Sequence, residues 1–471
     1  LVWFREDLRV HDNEALAEAV AQGTDVLPVY CFDPREFAEG MFTLPKIGPH
    51  RTRFLVESVA DLRDSLRERG GDLVVGHGEP ESILPTVAAD HDVGTVFYHT
   101  TPATEERTVE ERVTDALDAE GIETRSLWGK TLYHIDDLPT SVHAMDDTFT
   151  PWRKSVERNA TIRDQVPTPD ELPTPDVDPG EIPSPTDLGV EVRGPDDRGV
   201  LPFRGGEHAG RERVETYFWE TDRLREYKET RNGLLGAEYS SKLSAWLAHG
   251  CLSPRYVHDE VKRYEAERVA NESTYWLIFE LLWRDFMTFQ FEKYGSEFFV
   301  PGGIREDTPN WRRDREAFET WASGETGIPF IDANIRELNA TGYMSNRGRQ
   351  NVASFLADWL GIDWRMGAAY FEATLVDYDV CSNWGNWAYQ AGVGNDSRDR
   401  YFNVVKQAKR YDPGGEYVRR WVPELRGVGE AIHEPWTLRD DDQATIGADP
   451  VGEYPDPMID MDAAHERLRN R

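Results

Sequence analysis

Apolar positions along the first 135 residues follow two rhythms. Short continuous runs at 1–4, 26–32, 73–77, 96–99 and 124–128 read as buried strands, separated by amphipathic stretches such as 51–68 and 104–120. In 51–68, Phe54, Leu55, Val59 and Leu62 recur at helical spacing. This alternation predicts a doubly wound parallel sheet, a Rossmann-like α/β domain over 1–135. No G-x-G-x-x-G string follows the first strand, so the ordinary dinucleotide fingerprint is absent. Residues 136–206 predict an interdomain linker. Its part from 155 to 200 holds Thr168-Pro169-Asp170, Thr174-Pro175-Asp176 and Ser184-Pro185, too much proline for a helix. From 207 to 471 the pattern predicts an all-helical domain, with helical stretches at 210–231, 242–249, 256–265, 274–294 and 330–340.

Composition changes this picture in three ways. No run of eighteen apolar residues occurs, so no membrane-spanning helix is expected, and the apolar start Leu1-Val2-Trp3-Phe4 is followed at once by charge, unlike a signal peptide. The cysteines Cys31, Cys251 and Cys381 are widely spaced, which gives neither a metal site nor a disulfide framework and fits a reducing cytoplasm. The formal net charge is -34, and lysine occurs nine times among 53 basic residues. An acidic, lysine-poor surface stays soluble by self-repulsion and suits a salt-rich, halophilic cytoplasm. Taken alone it argues against nucleic acid, unless the arginines cluster at one mouth. A monomer is expected.

Four strings carry candidate chemistry. Tyr239-Ser240-Ser241-Lys242-Leu243-Ser244 places hydroxyls and backbone N–H groups before a helix, which suits a phosphate or, more commonly, a serine-rich cap. In Glu280-Leu281-Leu282-Trp283-Arg284, a carboxylate, an indole and a guanidinium share a helix face and can grip a flat heterocycle; the ordinary alternative is a surface Glu–Arg pair beside a core tryptophan. In Asn346-Arg347-Gly348-Arg349-Gln350, Asn346, Arg349 and Gln350 share a face while Arg347 points elsewhere, toward a DNA phosphate in this reading. In Asp377-Tyr378-Asp379-Val380-Cys381-Ser382-Asn383-Trp384-Gly385-Asn386-Trp387, Asp379, Asn383 and Trp387 form one stripe, and Asp377 needs a partner such as Arg349.

Together these strings resemble photolyases and cryptochromes, most closely the DASH branch. The likeness runs from Trp3-Phe4-Arg5-Glu6-Asp7-Leu8-Arg9 through Cys251-Leu252-Ser253-Pro254-Arg255 to Tyr454-Pro455-Asp456-Pro457-Met458. It implies an FAD inside the helical domain. Ser240, Ser241, Lys242, Leu243 and Ser244 would hold its pyrophosphate and ribitol, with Tyr227 nearby. Arg349 and Asp377 would pair beside the isoalloxazine, Asp379 would meet the ring edge, and Asn383 would face N5. Glu280, Trp283, Asn346, Gln350 and Tyr389 would form the lesion side, with Glu280 and Arg284 also near the cofactor. Tyr389 and Gln350 replace a tryptophan and a methionine of many photolyases, and this more polar cleft implies a preference for pyrimidine dimers in single-stranded DNA. Trp387, Trp364 and Trp311 match the family's electron relay. Arg231, Arg347, Arg398 and Arg400 would hold DNA.

The family often carries a light-harvesting pigment, 5,10-methenyltetrahydrofolate in many DASH members, held in part by a glutamate. Thr101 stands at that position, so a deazaflavin or no antenna is an alternative. The implied activity is a blue-light deoxyribodipyrimidine photolyase, with a signalling photoreceptor of little repair activity and a generic FAD electron-transfer protein as competing readings.

Overall fold

The computed structural model describes residues 1–23, 25–192, 194–305, 309–395, 401–438 and 452–469. Its N-terminal part is a five-stranded parallel sheet of β1 (Val2–Phe4), β2 (Pro28–Phe32), β3 (Val74–His77), β4 (Thr95–His99) and β5 (Glu123–Leu127), in the order β3-β2-β1-β4-β5. Crossovers run through α1 (Glu14–Gln22), α2 (Pro49–Arg67), α3 (Pro80–Asp90) and α4 (Thr104–Ala119). The inner strands β1 and β2 are buried throughout, as covering of both sheet faces demands. Alternate side chains feed two cores. Trp3, Val29, Cys31 and Tyr98 face α3 and α4, whereas Phe4, Tyr30, Phe32 and Phe97 join a core shared with the helical part.

The described residues from 160 to 206 carry no regular helix, and part of this stretch meets the sheet edge at β3. The Pro179 carbonyl accepts from the Val75 N–H at 2.9 Å, which satisfies edge-strand donors. Within the stretch predicted as linker, however, Phe149–Asn159 forms helix α5, whose Phe149, Trp152 and Val156 lie on one buried face.

The helical part comprises α6 (Glu207–Val214), α7 (Tyr227–Thr230), α8 (Ser244–Ala248), α9 (Pro254–Glu267), α10 (Glu272–Tyr294), α11 (Arg315–Ser323), α12 (Pro329–Thr341), α13 (Asn346–Ser354), α14 (Trp364–Thr374), α15 (Val380–Gln390), α16 (Val404–Tyr411), α17 (Glu416–Trp421) and α18 (Met461–Arg469). Two expected helices are shorter than their patterns. The stretch 210–231 breaks after a π turn at Glu215–Glu220, where the Thr216 carbonyl takes the Thr221 N–H at 2.9 Å and Asp222 adopts φ 55°. The stretch 242–249 becomes helical only at Ser244, because Lys242 sits at φ 56°. None of the described helices is long and apolar enough to cross a membrane.

The two parts lock where two sequence strings meet. Arg9 donates to the carbonyls of His11, Gly250 and Asp12 at 3.0–3.1 Å, and Arg255 pairs with Asp12 and Glu14 at 2.7 Å. Gly250 has φ 65°, and a Cβ there would lie 2.0 Å from the Glu6 carbonyl, so only glycine permits this approach. Asp285 on α10 accepts the N–H groups of Leu132 and Tyr133, each at 2.9 Å, and so ties α10 to the loop after β5.

Candidate functional site

A cavity of about 490 Å³ opens into the helical part. Its size falls within the range of ligand pockets. Helices α10, α13 and α15 and the loop before α8 build its walls and bring together most of the residues singled out in the sequence. Tyr227, Ser240, Ser241, Lys242, Leu243 and Ser244 line it, together with Arg284, Arg349, Asp377, Asp379, Asn383 and Trp387. Arg231, Glu280, Trp283, Asn346, Gln350 and Tyr389 line it as well.

The loop before α8 is not a capping motif, for Leu243 makes no side-chain cap bond. It is fastened from behind by Arg213, which donates to the carbonyls of Ala237, Ser240 and Ser241 at 2.8–3.2 Å. Lys242 is 2% exposed. Its ammonium donates to the Ala237 carbonyl at 3.0 Å and lies 3.3 Å from the centre of the Tyr239 ring. Burial, then the nearby Arg213 charge, pushes its pKa well down. A buried ammonium beside a second cation, held by a carbonyl and a ring, matches an anionic group in the cavity. The donor set thus fits the pyrophosphate of FAD.

Arg349 donates to both carboxylate oxygens of Asp377 at 2.8–2.9 Å and to the Met344 carbonyl at 2.9 Å. Burial opposes its charge, but Asp377 outweighs burial and raises its pKa. Asn383 donates from its side-chain nitrogen to the Ala368 carbonyl at 3.0 Å. That bond fixes the amide and leaves its oxygen as the acceptor for a ligand N–H. Asp379 caps α15 by accepting the Ser382 N–H at 2.7 Å, and pairs with Lys130 at 3.1 Å. Burial acts to raise its pKa, but the charges of Lys130 and Arg284 and the Ser382 hydrogen bonds together lower it.

Glu280 pairs with Arg231, not with its helix neighbour Arg284. Burial raises the Glu280 pKa, with Arg231 opposing. Arg284 is spent on backbone, donating to the carbonyls of Lys130 and, at 3.0 Å, Leu247. Trp283 stacks on Phe149 at 3.7 Å and meets Tyr389 edge-on at 6.0 Å. The Gln350 side-chain oxygen is buried with no hydrogen-bond partner. Such a group awaits a donor, because burying it unpaired costs about 1–3 kcal/mol.

Arg347, Trp364, Trp311 and Thr101 do not line the cavity. Arg347 sits over Tyr411 at 4.6 Å and donates to Asn232 at 3.2 Å. Arg398 and Arg400 fall outside the described residues. Trp364 and Trp311 both donate their indole N–H to the Pro301 carbonyl, at 3.1 and 2.9 Å. Trp387 packs on α14 at Gly367, three residues beyond Trp364, where a Cβ would come within 2.2 Å of the indole. Thr101 is buried, and its N–H donates to Glu110 at 2.9 Å, a carboxylate already paired with Arg5.

Sequence reasoning missed Phe149, Lys130 and Arg213. Phe149 hid in the segment predicted as linker, although the spacing of Phe149, Trp152 and Val156 was a helical signal. Lys130 and Arg213 reach the site from distant chain segments, so no local pattern marks them.

Comparison with known proteins agrees with this architecture. Residues 1–175 match the family model for DNA photolyase, and residues 276–471 match that for the FAD binding domain of DNA photolyase. A cryptochrome DASH from Natronomonas pharaonis is 60% identical over 470 residues, 99% of each chain. The crystal structure of a Synechocystis cryptochrome aligns with TM-score 0.95 at 49% identity, over 100% of this chain and 98% of that one. A class III photolyase from Agrobacterium tumefaciens aligns with TM-score 0.86 at 30% identity, over 100% of this chain and 96% of the other. A parallel-sheet domain locked onto a helical FAD-binding domain defines a photolyase-type flavoprotein. The chain belongs to the cryptochrome/photolyase family, with relatives named cryptochrome DASH.

Proposed function

We propose that this protein uses blue light to split cyclobutane pyrimidine dimers, chiefly in single-stranded DNA. The observation that carries the reading is convergence. Glu280, Trp283, Gln350 and Tyr389 line the same cavity as Lys242, Arg349 and Asn383. A generic electron-transfer flavoprotein needs only the second set.

When bound and reduced, FAD would supply the light-driven electron chemistry that opens the two cyclobutane C–C bonds, with no net redox change. The chain's own residues do the rest. Lys242 and the serines of its loop hold the pyrophosphate, and the amide oxygen of Asn383 accepts a ring N–H. Glu280 hydrogen-bonds a dimer base, Trp283 and Tyr389 bracket the flipped lesion, and the orphaned Gln350 oxygen accepts from it. Since extruding a base costs least from a single strand, a polar cleft of this kind selects single-stranded substrate. Arg231 and Arg347, with Arg398 and Arg400, contact phosphates. A salt-rich cytoplasm and a monomeric state complete the proposal.

A 5,10-methenyltetrahydrofolate antenna is disfavoured. At the expected glutamate position Thr101 is buried, and Glu110 below it is consumed by Arg5, Thr100 and Thr101.

The test is illumination of the reduced protein with dimer-bearing single-stranded and duplex oligonucleotides. Restored thymines, faster in single strands, are expected. Photoreduction without repair on either substrate overturns the proposal in favour of a photoreceptor.

A further inference from the structure

One residue of the cavity wall, Phe402, comes from none of the four polar strings. Both of its backbone groups are held. Its N–H donates to the Ser354 hydroxyl at 2.9 Å, and its carbonyl accepts the Trp359 indole N–H at 2.9 Å. The Ser354 hydroxyl in turn donates to the Asp358 carboxylate at 2.7 Å. Ser354 stands four residues after Gln350 on α13, so Phe402 is fastened one helical turn from the lesion side of the cavity. The Phe402 ring and the Tyr411 ring of α16 both lie under the Arg347 guanidinium, at 5.8 and 4.6 Å. The stretch 402–411 thus places an apolar wall residue and a cation together.

What fixes this stretch comes from far along the chain. Trp359 ends a π turn at Phe355–Trp359, and α18 docks on it. Arg467 donates to the Trp359 carbonyl at 2.6 Å, and the His465 ring lies 6.1 Å from the indole at an interplanar angle of 7°. Tyr401 meets the Trp359 and His465 rings edge-on, at 6.4 and 6.1 Å. His465 Nε2 contacts the side-chain nitrogen of Asn403 at 3.3 Å, and the Asn403 side-chain oxygen caps α16 by accepting the Lys406 N–H at 2.9 Å. Ala464 and Leu468 bury the inner face of α18, whereas Arg467 is exposed. No residue of α18 lines the cavity.

We propose that α18, through Arg467 and His465, positions the lesion side of the cavity by holding Trp359, Phe402 and the start of α16 in one arrangement. Arg467 and His465 are then positioning residues for lesion discrimination that line no part of the cavity themselves. The inference rests on the reading of the cavity as a lesion-binding cleft. A binding wall discriminates only when its supporting shell fixes it, because a small shift of the wall loosens every contact made against it. The groups assigned to FAD draw their bonds from other segments, Lys242 from Ala237, Arg349 from Asp377 and Asn383 from Ala368. Release of α18 therefore separates the two halves of the cavity. Preference for the dimer is lost while FAD is kept.

The test compares FAD-loaded Leu468→Asp, which puts a carboxylate into the α18 contact, with Arg467→Ala, which removes one exposed side chain. Amide hydrogen exchange at 401–411 should speed in both, more in Leu468→Asp, with FAD per chain unchanged. The ratio of affinities for dimer-bearing and undamaged single strands should fall about threefold to tenfold in Arg467→Ala, the worth of one hydrogen bond, and further in Leu468→Asp. Arg467→Lys can still donate to the Trp359 carbonyl and should keep both readings near those of the unaltered protein. If Leu468→Asp does not fold, Arg467→Ala decides by the same two readings. An unchanged affinity ratio in a variant whose 401–411 amides exchange faster, or unchanged exchange in both variants, overturns the proposal. Equal affinity of the unaltered protein for the two strands would instead overturn the lesion reading beneath it, whatever the exchange shows.

Discussion

Glu280→Gln separates two roles that the structure places on one ion pair. The Glu280 carboxylate neutralises Arg231, and both side chains are partly exposed, at 30% and 21%. A glutamine keeps the shape and releases the guanidinium. If Arg231 then meets a second phosphate beside the one it already contacts, the salt dependence of single-strand binding steepens by about 0.7 in log–log slope. Over a tenfold fall in salt this is worth about a fivefold gain in affinity for any strand, damaged or not. On the lesion side, the same change turns a charge-assisted hydrogen bond into a neutral one, a loss of about 1 kcal/mol or roughly fivefold in dimer preference. The two shifts have opposite sign, so affinity for dimer-bearing strands should barely move while affinity for undamaged strands rises. Fluorescence-anisotropy titrations of matched single-stranded oligonucleotides at several salt concentrations measure both terms, and repair yield gives a third. An unchanged slope together with an unchanged dimer preference would refute the assignment of this pair to the DNA mouth.

Three further outcomes are expected. Asp377→Asn leaves the Arg349 guanidinium without its carboxylate, at a cost of about 2–3 kcal/mol; a lowered melting temperature and FAD loss on gel filtration check it. Asn383→Asp replaces the amide N–H that donates to the Ala368 carbonyl with a carboxylate facing that carbonyl. It should cost about 1–3 kcal/mol and reduce FAD content, read from the absorbance ratio of flavin to protein. Glu337 is buried and accepts the Tyr417 hydroxyl at 2.6 Å, and burial pushes its pKa up from 4.5 to about 8. The folded chain then keeps this proton after the unfolded chain has lost it, so its contribution to stability falls as pH rises between about 4.5 and 8. Glu337→Gln should flatten that decline in melting temperature between pH 5 and pH 9; a slope equal to that of the unaltered protein would show that Glu337 does not carry it.

Much of the fold lay in local pattern. The five predicted strands formed within two residues at each end; the inner β1 and β2 are apolar because both their faces are buried, whereas the edge strand β5 carries polar, exposed residues. The amphipathic stretch 51–68 became α2, and the helical stretch 274–294 became α10, which is apolar on most of its sides because it runs through the core. The site strings were legible because α10, α13 and α15 each present several polar groups along one helical face. Local pattern failed where the backbone serves a distant partner. Lys242 at φ 56° delays α8, and the carbonyls of its loop answer Arg213 from α6. The sequence by itself determined the domain types, the family and the identity of the cavity's polar groups, since periodicity and motif are properties of neighbouring residues. Tertiary structure alone decided that Glu280 pairs with Arg231 rather than Arg284, that Phe149 covers Trp283, that Lys130 reaches Asp379, and that Trp387 touches Trp321. Each of these contacts joins segments far apart in the chain, and such pairings depend on how whole helices pack, which no local spacing encodes.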